Sequence, residues 1–193
     1  MEEEQARTYQ RLLEEAGRFH GDICRGIELG TRMTMAGLER IGITDPKGKD
    51  RKRLIIFVEV DRCATDAITA LTGCRPGKRS MKVLDYGKMA ATFVNIETGH
   101  AVRVSLKPKE NQDPDRSFDT YEDDELLNIM DVDVNLRPED LPGRPVRTCT
   151  CARCGENIMD AREVVVDGET LCRTCYEGKA YYRPHGGNGT CAK

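Results

Sequence analysis

Residues Arg53 to Gly73 read RLIIFVEVDRCATDAITALTG, and the change of period inside that stretch decides the fold. The part RLIIFVEV is β-branched and apolar, bounded by charge and ended by Asp61, which predicts a largely buried strand. In the part that follows, Ala67, Ile68, Ala70 and Leu71 recur at helical spacing and Gly73 stops them. A short helix therefore leaves the C-terminal end of a strand, with Cys63 and Asp66 at the junction.

On the N-terminal side lies the polar loop TDPKGKDRKR, and before it two helical patterns. From Glu2 to Phe19 the apolar residues Tyr9, Leu12, Leu13, Ala16 and Phe19 fall at three- and four-residue steps among charges, which predicts an amphipathic helix with one buried stripe. The segment FHGDICRG interrupts it, and IELGTRMTMAGLERIG resumes the period at Leu29, Met33, Ala36 and Leu38 or Ile41. Gly30 and Gly37 sit inside this second helix, where glycine costs about 1 kcal/mol unless a neighbour needs the space, so close packing is expected at both.

On the C-terminal side GCRPGKRS turns the chain, and MKVLDYG, MAATFVNI and AVRVSL follow as three strand candidates. The last two are joined by Glu97-Thr98-Gly99-His100, a hairpin turn with glycine available for positive φ. The order of elements predicts an α+β fold, a mixed helix and antiparallel-sheet core. Residues Lys107 to Arg116 lack hydrophobic pattern and read as an exposed connection, and TYEDDELLNIM reads as a short acidic helix burying Leu126, Leu127, Ile129 and Met130. The proline-punctuated RPEDLPGRPVR marks a boundary, giving a core domain over 1–143, a small domain over 144–183 and a flexible tail over 184–193.

The small domain carries two C-x-x-C pairs, Cys151 with Cys154 and Cys172 with Cys175, at a separation that reads as a four-thiolate zinc site. Gly155 suits the first turn, and Asp167-Gly168 is a two-residue hairpin signal between the pairs. CRTCYEGKAYY opens a helix at the second pair. Knuckle, hairpin and ligand-bearing helix in that order make a treble-clef zinc finger. Four protein ligands leave no open position, so the finger reads as a brace or docking knob. Its basic residues are matched by acidic ones, which leaves no nucleic-acid footprint on it. Cys149 is an alternative first ligand to Cys151, with the C-x-x-C spacing favouring Cys151; Cys191 in the tail reads as a free thiol.

A second constellation lies in the core. His20 and Cys24 stand four apart at a helix entry, and Cys63 follows the strand. An imidazole and two thiolates can share one metal and leave a fourth position open, the catalytic rather than the structural arrangement. Asp22, Asp66 and Cys74 are further candidates for the surroundings of such a site, while small buried hydrophobes are the alternative reading of the three cysteines Cys24, Cys63 and Cys74. The turn with Arg75, Lys78, Arg79 and Lys82 could receive an anion, or be an ordinary solvated turn; it lacks the spacing of a P-loop.

Charged residues make up 33% of the 193-residue chain, yet the net charge is −3, so nothing global directs it to nucleic acid or an anionic membrane. An acidic, amphipathic N-terminus and the lack of a long apolar run predict neither signal peptide nor membrane span. A cytoplasmic protein is expected, with its nine cysteines as thiols or metal ligands.

Several of these motifs, taken together, resemble the E-subunit family of formylmethanofuran dehydrogenase. His20-Gly21 and Cys24 with Gly26 and Gly30 resemble its H-G-H-x-C-P-G-x-x-x-G opening. Glu59, Asp61, Arg62, Cys63, Asp66 and Ala67 resemble its E-x-D-R-C-x-x-D-A segment. Thr72, Gly73, Cys74, Gly77 and Lys78 are similar to its T-G-C-x-x-G-K turn, and Asp85, Tyr86, Gly87, Lys88 and Ala90 to its D-Y-G-K-x-A strand. The resemblance implies an α+β core, with a treble-clef finger after it in some members. It implies His20, Cys24, Cys63 and Asp66 as a metal or active-site cluster, with Cys74 as a neighbour. Asp22 stands where the pattern has a second histidine and Arg25 where it has proline, and a carboxylate is a harder ligand that shifts metal preference.

The family name implies a molybdenum or tungsten pterin enzyme, but this chain is too short to enclose such a cofactor beside its zinc module and lacks ferredoxin cysteine runs. The expectation is an accessory or metal-handling component linked to molybdenum or tungsten one-carbon metabolism, with zinc in the finger and a second metal, zinc, in the core. A small zinc-dependent enzyme or a zinc-finger regulator is the alternative. Expected partners are a second copy, giving a homodimer, and molybdenum or tungsten enzyme subunits, without membrane or nucleic acid.

Overall fold

A computed structural model describes residues 3–108, 113, 116–182 and 185, and divides the chain into two compact units, Met1–Asn135 and Leu136–Lys193. Unit boundaries fall between Asn135 and Leu136 because Asp140, beyond that point, is tied into the second unit: its carboxylate accepts from Arg162 at 2.6 Å and from Arg137 at 2.9 Å. Cys191 lies outside the described residues, as do all but His185 of the tail and most of the Lys107–Arg116 connection.

The first unit opens with α1 (Glu3–His20) and α2 (Arg25–Arg40), followed by β1 (Leu54–Val58), α3 (Cys63–Thr72) and β2 (Met81–Val83). It continues with β3 (Ala90–Asn95), β4 (Ala101–Leu106), α4 (Asp123–Leu126) and β5 (Leu127–Asp131). The strands form one sheet in the order β2-β1-β3-β4-β5. Four of its strands are antiparallel neighbours, and β2 runs parallel to β1 because α3 carries the chain back along the sheet between them. The sheet is thus mixed rather than purely antiparallel.

Register places Ile56 beside Phe93 and Phe93 beside Val102, and Val58 beside Ala91 and Ala91 beside Val104. Side chains two apart share a sheet face, so these residues form one apolar surface, and Leu29, Met33 and Ala36 of α2 with Ile68 of α3 pack in the same core. Tyr9, Leu13 and Ala16 of α1 pack instead with Ile27, Ala67 and Leu71, so α1 lies on the other two helices. The buried stripe of α1 stops at Ala16: Leu12 is half-buried, and Phe19, expected to complete it, is 56% exposed.

The glycines of α2 set how close these layers come. A Cβ on Gly30 would stand 2.6 Å from the Ala64 carbonyl oxygen and 2.7 Å from its Cα, and one on Gly37 would enter the Phe93 ring. Backbone of α2 therefore rests on backbone of α3.

The acidic segment differs from its reading. Only Asp123–Leu126 is helical, one turn closed by a capping box between Glu122 and Glu125, and Leu127–Asp131 is the edge strand beside β4. The open edge of β4 offers hydrogen bonds that four more residues of exposed helix cannot match, and Met130 stays exposed as a result. Arg32, buried in α2, holds the preceding turn by donating to the Phe118 carbonyl at 2.5 Å, the Tyr121 carbonyl at 2.9 Å and the Asp123 carboxylate at 2.8 Å. No local pattern announces that clamp, whose partners lie far along the chain.

In the second unit β6 (Thr148–Thr150) pairs with β7 (Asn157–Met159), β8 (Val164–Val166) with β9 (Glu169–Leu171), and α5 (Arg173–Glu177) follows. Asp167 and Gly168 both take positive φ, 51° and 81°, as a tight two-residue hairpin requires. Among the described residues no helix is long and apolar enough to cross a membrane.

Candidate metal centres

Three elements of the first unit converge on one spot. His20 ends α1, Cys24 is the residue before the first turn of α2, and Cys63 opens α3. Their ligand atoms all lie within 4.8 Å of one another. Gly26 makes this possible, since a Cβ there would stand 2.8 Å from the Cys63 Cβ. Both thiols sit at helix N-termini. The Cys24 sulfur, and then burial, push the Cys63 thiol above its ordinary range, as two thiols this close disfavour a second negative charge without a cation between them.

His20 is oriented for the task. Its Nδ1 is 2.8 Å from Asp66 Oδ2, a carboxylate that holds the proton on Nδ1 and leaves Nε2 to accept a metal. Asp66 is therefore placed as the partner of His20 rather than as a further ligand. Asp22, which stands where the family pattern has histidine, is exposed, with Oδ1 3.6 Å from His20 Nε2. Arg25 turns away from the cluster: its guanidinium lies 3.8 Å over the Phe118 ring and donates to the Arg116 carbonyl at 3.0 Å, fixing the entry of α2.

Beside the cluster is an open depression of about 460 Å³ lined by His20, Asp61, Arg62, Cys63, Thr65, Asp66 and Val83. Asp61, Arg62, Thr65 and Val83 had no assigned place there from sequence; the loop after β1 brings in Asp61 and Arg62, the first turn of α3 Thr65, and β2 Val83. Cys74 is not part of this arrangement. It follows the opposite end of α3, is 2% exposed and packs in the main core with its sulfur 3.9 Å from the Leu54 carbonyl, where burial pushes its thiol up. Glu59, another motif residue, is also structural: Arg103 donates to both its oxygens at 2.7 and 2.8 Å and lowers its carboxyl.

The second unit gathers Cys151, Cys154, Cys172 and Cys175, again within 4.8 Å. Cys154 and Cys172 sulfurs are 3.9 Å apart, close to the edge of about 3.8 Å that a tetrahedron of thiolates at 2.3 Å from zinc would have. Backbone N–H groups already face the sulfurs, from Cys172 to Cys151 at 3.3 Å and from Cys175 to Cys172 at 3.4 Å. The backbone N–H of Cys154 first, then those of Cys172 and Arg153, lower the Cys151 thiol to about 6 against the opposing effect of burial. The donor set and spacing fit zinc. Cys149 remains outside the tetrad; it lies on β6, half-buried, near Glu163, and burial raises its thiol.

Fold and site together define an α+β protein with a cysteine-histidine cluster in its core and a four-cysteine zinc finger at its C-terminal end. The chain belongs to the family described as FmdE, molybdenum formylmethanofuran dehydrogenase operon, which matches residues 19–135. Residues 144–181 match the prokaryotic dksA/traR C4-type zinc finger. A crystal structure of a tungsten formylmethanofuran dehydrogenase FmdE-like protein from Syntrophus aciditrophicus is similar, with a TM-score of 0.55 and 25% identity over 90% of this chain and 95% of that one. A probable S-adenosyl-L-methionine-binding protein of Archaeoglobus fulgidus is 35% identical over 123 residues, 63% of this chain but 32% of that protein. The chain thus spans about a third of that relative's length.

Proposed function

We propose that this protein binds a second metal ion, zinc, through His20, Cys24 and Cys63, and serves as an accessory or metal-handling component linked to molybdenum or tungsten one-carbon metabolism. The observation that carries the core site is the convergence of an imidazole and two thiols within 4.8 Å, with Asp66 engaging Nδ1 of the imidazole so that Nε2 is left for a metal. Three protein ligands leave a tetrahedral zinc one position for an exogenous ligand, and the adjacent depression gives that ligand room. The finger, with its four ligands, supplies folding energy and no chemistry. Membership of the FmdE family supports the link to formylmethanofuran dehydrogenase, with subunits of that enzyme and a second copy of this chain as partners.

Elemental analysis tests the core site, with the finger as internal standard. Wild-type protein should carry about two zinc per chain, and Cys24→Ser and Cys63→Ser about one, with the fold retained. If both variants keep the same second metal, the core site is wrong.

The depression also supports a second reading, a small zinc enzyme. A water in the fourth position would be the nucleophile, and Asp22, exposed 3.6 Å from His20 Nε2, the base. A metal-dependent turnover that survives Asp22→Asn unchanged would remove that role for Asp22.

A further inference from the structure

The loops that bound β1 and α3 at the end remote from Cys63 are strongly cationic. Residues 45–53 hold five Lys or Arg against two Asp, and residues 73–82 hold four against none, in a chain whose net charge is −3. The fold makes one surface of the two: a Cβ on Gly73 would touch the Lys47 side chain at 3.6 Å.

The first loop's two carboxylates are too few to neutralise that surface, nine Lys or Arg standing against two Asp, and both are engaged within the loop itself. Asp45 accepts from Gly48 N at 2.9 Å and from Lys49 N at 3.0 Å. Asp50, 2% exposed, accepts from Asp45 N at 3.0 Å and Thr44 N at 3.1 Å, and pairs with Arg53 at 2.9 Å. Lys47 pairs with Glu15, and Arg53 also with Glu97. Lys49, Arg51, Lys52 and Arg75 remain exposed, with no ion pair among the described residues.

We propose that these two loops bind the phosphodiester backbone of nucleic acid. The surface presents charge without apolar or aromatic side chains: besides polar residues it exposes only the prolines and glycines of the two turns. A protein partner would find no anchor to bury there, and a lipid bilayer no side chain to take into its interface. A phosphate backbone needs neither. With no aromatic side chain to stack on a base and no helix offered to a groove, the contact is to phosphates and independent of sequence. Net charge and the finger, from which the expectation of no nucleic-acid partner is drawn, do not report on this local surface.

Anisotropy titration of the full zinc-loaded chain with a labelled duplex of about 20 base pairs reads the contact directly. Four or so phosphates neutralised should give a slope of about −4 in log K against log salt. Arg75→Gln should reduce the slope by about one, and joint reversal of Lys49, Arg51 and Lys52 to Glu should abolish binding without changing the melting temperature. Arg173→Gln in the finger should change nothing. Binding that survives the reversals, or no binding at low salt, overturns the proposal. Equal or tighter binding to phosphatidylserine vesicles or to a polyglutamate peptide overturns it as well, in favour of a membrane or an acidic protein.

Discussion

Replacing Gly30 by alanine should open the core metal site from a distance. The new methyl would stand 2.7 Å from the Ala64 Cα and 2.8 Å from the Ala67 Cβ, where carbon atoms rest at about 3.5 Å, so α2 and α3 must separate by about 0.8 Å. Overpacking of this kind costs about 1–3 kcal/mol, and exchanging glycine for alanine inside a helix returns about 1, leaving a net loss of up to about 2 kcal/mol. Because Cys24 enters α2 and Cys63 enters α3, the same movement spreads the two thiols. Zinc affinity should fall at least about tenfold, as it does when a ligand loses its positioning. Thermal melting gives the first quantity and competition against a chromophoric chelator the second, the finger's zinc being a reference that does not change. A variant that melts at or above the wild-type temperature and holds its core metal as tightly would refute the argument that helix contact sets the thiol spacing. Gly26→Ala, whose methyl meets the Cys63 Cβ directly, should show a larger loss of metal for a smaller loss of stability.

Three other perturbations separate the roles of individual groups. Asp66→Asn should weaken core zinc by about 10–100-fold with little change in melting, since Asp66 is half-exposed and its hydrogen bond goes to His20; competition titration checks it. Strong chelation should unfold β6–β9 and α5 while the first unit stays folded, because among the described residues the second unit's buried cluster is, apart from its cysteines, only Ile158 and Leu171; hydrogen exchange resolves the two units. Asp50 is held below its ordinary 3.8, first by the Asp45 backbone N–H and then by Thr44 and Arg53, against the opposing effect of burial. The stability it contributes is therefore present above the usual carboxylate range and lost as pH falls through its lower folded value, so Asp50→Asn should destabilise at neutral pH and flatten the decline in melting temperature below about pH 4.

Much of this was written locally. The switch from strand to helix across Arg53–Gly73, the two N-terminal helices and the Asp167-Gly168 hairpin are period and turn signals, which need only neighbours in sequence. The zinc tetrad was equally legible, because each C-x-x-C turn delivers two ligands from one short loop. The segment Thr120–Met130 reads as a helix because its apolar residues fit either period, and only the free edge of β4 resolves its second half into one helical turn and a strand.

Residue types by themselves determined that this chain would hold a closed four-thiolate finger and carry His20, Cys24 and Cys63 as candidates for a second site. Which candidates belong together was a tertiary matter. Cys74 and Cys63 are the same residue type on the same short segment, yet one packs in the apolar core and the other joins His20 and Cys24. The physical reason is that α3 separates them by its whole length, while Gly26 and Gly30 let α2 rest on α3 at the Cys63 end alone. Helix contact, not spacing in the chain, brings the two thiols within reach of one metal.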